Sequence, residues 1–138
     1  SIYFNDIQEK WKERKPANLQ IHQFIARMDF AYAAAGVVVS RAGAGTISEL
    51  CLVGKPVILV PSPNVAEDHQ TKNAMALVEK NAAVMIPDNE AGERIFKEGV
   101  GLVNDKKRCA ELSENIQKMA KPKATEDIVD EVEKLVKK

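Results

Sequence analysis

Twice within residues 37–60 a short run of aliphatic side chains gives way to a turn and then to a new element. This alternation constrains the fold more than any other feature of the chain. Val37-Val38-Val39 is β-branched throughout and reads as a strand buried on both faces. Ser40-Arg41-Ala42-Gly43-Ala44-Gly45 turns the chain into a helix running from about Thr46 to Val53, which Gly54-Lys55-Pro56 stops. Val57-Ile58-Leu59-Val60 is the next buried strand, and Pro61-Ser62-Pro63-Asn64 leads to a helix over Asp68–Asn81. Ala83-Val84-Met85-Ile86 closes the series as a third apolar strand. Strands joined through helices must run parallel, and a parallel sheet needs cover on both faces. The fold class is therefore α/β, a Rossmann-like parallel sheet with helices on both faces.

The flanks fit around that centre. Asn5–Lys15 reads as an amphipathic helix with Ile7 and Trp11 on one face, ended by Pro16. Leu19–Ile25 alternates and predicts a short strand, and Asp29 is placed to cap a helix over Phe30–Ala35 that Gly36 closes. Glu90–Lys97, Lys106–Met119 and Thr125–Lys137 read as helices covering the sheet. No linker composition interrupts the 138 residues, so residues 1–138 are expected to form a single domain. Twenty basic and twenty acidic side chains cancel, which argues against a nucleic-acid partner. Cys51 and Cys109 lie far apart with no metal-type spacing, so a reducing, cytosolic compartment is the simpler reading. No apolar run is long enough to span a bilayer.

The turn at residues 40–45 carries the chemistry. A strand entering a glycine-containing turn that opens a helix is how open α/β sheets bind phosphate, because the first N–H groups of a helix lack internal partners. The turn is neither a Walker loop nor a G-x-G-x-x-G fingerprint. Thr46, followed by Glu49 three residues later, has the form of a capping box. Alternatively, Glu49 offers two acceptor oxygens to the adjacent hydroxyls of a ribose. Spacing leaves both readings open. Arg41 could face phosphates or anchor the loop by an ion pair, and is left unassigned.

Ser40-Arg41-Ala42-Gly43-Ala44-Gly45-Thr46-Ile47-Ser48-Glu49-Leu50, followed by Gly54–Pro61, closely resembles the signature of the N-acetylglucosaminyltransferases of peptidoglycan synthesis, the MurG family. Phe24-Ile25 before Ala31–Ala35, Glu67-Asp68-His69-Gln70 before Asn73-Ala74, and Ala124-Thr125 extend the likeness along almost the whole chain. The resemblance implies the carboxyl-terminal, donor-binding domain of a two-domain GT-B glycosyltransferase, without its first strand and loop. It implies transfer of GlcNAc from UDP-GlcNAc to lipid I with inversion, using no cofactor and no metal.

By matching positions, the resemblance assigns the main chain of Ile25 to the uracil edge. Ala44, Gly45, Thr46, Ile47 and Ser48 become the diphosphate loop, and Glu49 the ribose acceptor. Gln70, with His69 beside it, reaches the GlcNAc hydroxyls, and Asn73 supports that loop. No residue is assigned as a catalytic base, since His22 falls on the expected strand and His69 goes to the sugar. The chain opens at Ser1 without Met, so an amino-terminal acceptor domain is expected elsewhere. That domain would carry the lipid I site and hold the protein peripherally on the cytoplasmic face of the bacterial inner membrane. A subunit of a two-chain UDP-GlcNAc transferase and a non-catalytic nucleotide-binding module are the competing readings.

Overall fold

The computed structural model describes residues 2–13, 16–63 and 68–121. They fall into two compact units, one within residues 1–34 and one within residues 35–138.

The first unit holds helices α1 (Ile2–Trp11) and α2 (Met28–Ala34). The alternating segment Leu19–Ile25 is not a strand but irregular backbone. Strands persist through hydrogen bonds to a neighbour, and no partner strand is found among the described residues of this unit. Helix α2 begins earlier than expected, so Asp29 lies in its first turn instead of capping it. The Asp29 carboxylate is engaged by Arg27, whose Nε donates to Oδ1 at 2.9 Å and Nη2 to Oδ2 at 2.6 Å. That pairing holds the Asp29 carboxyl below its ordinary range.

The second unit is built on three parallel strands in the order β1 (Val38–Ser40), β2 (Val57–Leu59) and β3 (Val84–Met85). Val38 is level with Val57, and Leu59 with Met85. Helix α3 (Ala44–Val53) links β1 to β2, and α4 (His69–Val78) links β2 to β3. A 3₁₀ turn at Asp88–Glu90 leads into α5 (Ala91–Asn104), and α6 (Lys106–Gln117) follows. All of β2 is fully buried, as expected of a central strand. Ile58, Val60 and Ile86 gather on one face with Leu102 of α5 and Leu112 of α6. Val57 and Leu59 point to the opposite face by the two-residue period of a strand, where α4 lies against β3 and α3 packs beside α4.

Two further expectations about elements need correction. Val37–Val39 is not buried on both faces: the strand is Val38–Ser40 and Val39 is 44% exposed. Among the described residues it lies at the end of the strand order, paired with β2 alone. Helix α5 does not stop at Lys97 but continues through Gly99 and Gly101 to Asn104. Ile95 and Leu102, seven residues apart on one face, both join the core, and their burial carries the helix past two weak helix formers. The third closing helix, Thr125–Lys137, lies outside the described residues, as do Lys15 and Asn64.

Helix α3 ends where glycine is required. Gly54 has φ of +67° and its N–H donates to the Leu50 carbonyl at 3.0 Å, terminating the helix in the left-handed conformation. Cys51 and Cys109 are free thiols, within α3 and α6 respectively.

Candidate functional site

The carboxyl ends of the three strands converge on Arg41, the first residue after β1. Its Nη1 donates to the carbonyls of Val60 at 3.3 Å and Pro61 at 3.4 Å, just past β2. The same nitrogen makes an ion pair with Oδ1 of Asp88, just past β3. Of the two readings of Arg41, the structure shows the anchor. Asp88 was not singled out from the sequence, although its place two residues beyond Ile86 puts a carboxylate on the ligand-facing edge of a parallel sheet.

The turn that follows builds an uncapped helix end. Gly43 is the N-cap, extended at φ −66° and ψ 146°, and no side chain accepts from the first N–H groups. Its carbonyl accepts from the Ile47 N–H at 2.9 Å, so helical geometry is established by Ala44. Thr46 is therefore the third helical residue, and the capping box read from Thr46 and Glu49 does not form. A box needs its first member outside the helix, in extended backbone. The N–H groups of Ala44, Gly45 and Thr46 have no partner among the described residues.

The exposed face of α3 carries Gly45, Ser48 and Glu49. Gly45 and Glu49 are four residues apart and lie one above the other. A Cβ built on Gly45 meets nothing within 4 Å, and its φ is not in the left-handed region, so the described residues give no reason for glycine there. Glu49 has no side-chain partner among the described residues, whereas Ser48 turns its hydroxyl back to the Ala44 carbonyl at 3.1 Å.

Helix α4 brings the next group. His69 is its first residue and exposed, after Asp68 in left-handed backbone at φ 55°. Gln70 is half-buried, and its Oε1 accepts from the N–H of Ala42 at 3.2 Å and of Ser62 at 2.8 Å. Asn73 Nδ2 donates to the Ala42 carbonyl at 3.1 Å. The structure thus joins Gln70 and Asn73 to the turn that opens α3. Ile25 lies in the other unit, 40% exposed, lining a cavity of about 570 Å³ with His22, Phe24, Arg27 and Phe30.

Residues 1–128 match the family description Glycosyltransferase family 28 C-terminal domain. The chain belongs to that family. Over 135 residues it is 52% identical to the UDP-N-acetylglucosamine--N-acetylmuramyl-(pentapeptide) pyrophosphoryl-undecaprenol N-acetylglucosamine transferase of Christiangramia forsetii, covering 98% of this chain and 36% of that protein. The enzyme of the same name from Porphyromonas gingivalis W83 is 60% identical over 116 residues, 84% of this chain and 31% of the relative. The crystal structure of Acinetobacter baumannii MurG superposes with a TM-score of 0.80 at 29% identity, over 94% of this chain and 38% of that one. The resemblance read from residues 40–61 and the α/β fold are both borne out. This family 28 domain spans about a third of the length of the curated relatives it matches.

Proposed function

We propose that this family 28 domain is the donor-binding half of an inverting glycosyltransferase that moves GlcNAc from UDP-GlcNAc to lipid I in peptidoglycan synthesis. The observation that carries the reading is the uncapped start of α3, where among the described residues three amides and the Glu49 carboxylate one turn on have no partner and Gly45 is unobstructed. An anion at such a helix end gains about 0.3–1 kcal/mol from the dipole, and about 2 kcal/mol when partly buried. The diphosphate would lie against Ala44–Ser48 and the ribose hydroxyls against Glu49. By matching positions, the resemblance assigns the uracil edge to the main chain of Ile25. Similarity to relatives named for UDP-N-acetylglucosamine supports uridine over other nucleosides.

In this reading the amides stabilise the charge that develops on the departing UDP, the electrostatic share of catalysis. Inversion also needs a base within hydrogen-bond reach of the acceptor hydroxyl, and no residue of this domain is assigned that role. The domain recognises donor, and turnover needs the lipid I site of the complete enzyme. The undecaprenol-linked acceptor in the relatives' name supports work at a membrane surface, and among the described residues no helix is long and apolar enough to cross a bilayer. We therefore assign peripheral attachment at the cytoplasmic face of the bacterial inner membrane. The balanced net charge favours no nucleic-acid partner.

Titration calorimetry with UDP, UDP-GlcNAc and ADP tests the assignment. Uridine nucleotides are expected to bind at least tenfold more tightly than ADP, the order of discrimination that one or two hydrogen bonds give. Equal affinity for ADP would leave a nucleotide-binding module without donor specificity.

A further inference from the structure

Ala42 is completely buried, and both of its backbone polar groups are held by side chains from α4. Gln70 and Asn73 are three residues apart and therefore share one face of that helix. Asn73 takes the Ala42 carbonyl, Gln70 takes the Ala42 N–H, and the same Gln70 oxygen takes the N–H of Ser62 in the loop after β2. Ala42 is the last residue before the N-cap, so the orientation of its peptide sets where the first amides of α3 point.

We propose that Gln70 and Asn73 act together as positioning residues for the diphosphate loop, a clamp that aims the Ala44, Gly45 and Thr46 amides by fixing the Ala42 peptide. This deepens the uridine-diphosphate reading and rests on it. The clamp also fixes the orientation of Gln70. Two backbone donors meet its carbonyl oxygen, so a flipped carboxamide would set N–H against N–H. Its NH₂ has no partner among the described residues and is left as a donor. Gln70 therefore meets a donor sugar by giving a hydrogen bond to a hydroxyl oxygen, while its other end holds the loop that carries the phosphates. One side chain couples the sugar and the diphosphate of the ligand.

A residue that merely ties α4 to the sheet would change stability alone, so the test reads a ratio of affinities alongside a melting curve. UDP and uridine are titrated into the intact protein, wild type and variants. Asn73→Ala and Gln70→Ala are expected to lower the preference for UDP over uridine about tenfold, the scale of a displaced charge-bearing contact. Gln70→Glu, which keeps an oxygen for both amides, is expected to retain more of that preference than Gln70→Ala. Should either alanine variant fail to fold, Asn73→Asp provides the same ratio, since its carboxylate repels the Ala42 carbonyl instead of donating to it. An unchanged preference in the folded variants would overturn the clamp while leaving the uridine-diphosphate reading intact. A wild-type protein with no preference for UDP over uridine would overturn both.

Discussion

Glu49 shows how a single side chain separates two accounts of the same spacing. Residues 46 and 49 have the form of a helix cap in the sequence, and only the position of Gly43 removes that account. With the helix begun at Ala44, Glu49 is an exposed interior position whose side chain bonds nothing among the described residues. Glu49→Ala is therefore expected to change folding stability by no more than about 0.5 kcal/mol, as surface substitutions do. UDP affinity should fall by about 1.5–3 kcal/mol, the scale of hydrogen bonds to a charged acceptor. Thermal melts and titration of the same variant check both halves. A loss of stability with affinity intact would return Glu49 to a structural role. The roles of Arg41, Gln70 and Asn73 were less legible. Each depends on a backbone group far along the chain, Val60 for Arg41 and Ala42 for the other two, and no local pattern encodes such a partner.

Among elements, what could be read in advance followed burial. The fully buried β2 and the crossover helices α3 and α4 appear where apolar runs and turn residues placed them, within a few residues at the ends. The expected strand at Leu19–Ile25 failed because alternation describes one chain, while a strand is a property of two. Helix α5 outran its expected end because Leu102 finds a core that lies outside any local window. The stop of α3 was legible from Gly54-Lys55-Pro56, and it gives a prediction. A Cβ on Gly54 would stand 2.3 Å from Nε2 of Gln117 on α6, at a φ that L residues seldom adopt. Gly54→Ala should destabilise the protein by about 1–3 kcal/mol, combining left-handed strain with displacement of Gln117. Adding Gln117→Ala should recover the part due to contact and leave the part due to φ. Full recovery in the double variant would show that backbone conformation contributes nothing.

For the molecule as a whole, the sheet supplies an edge and the loops supply the chemistry, with Arg41 tying the three loops together at that edge. The parts proposed to hold the phosphates are main-chain amides, which no side-chain motif announces; the glycines were their visible trace. Gly45 follows this logic to its end. Alanine is the better helix former by about 0.5–1 kcal/mol, and nothing among the described residues obstructs a methyl group at that position. Gly45→Ala should therefore raise the melting temperature while it weakens UDP binding, because the methyl would occupy room that only a guest uses. A residue whose replacement makes a protein sturdier and less able is a mark that selection has kept a vacancy, and it yields a folded, ligand-blind counterpart against which every measurement on the native chain can be compared.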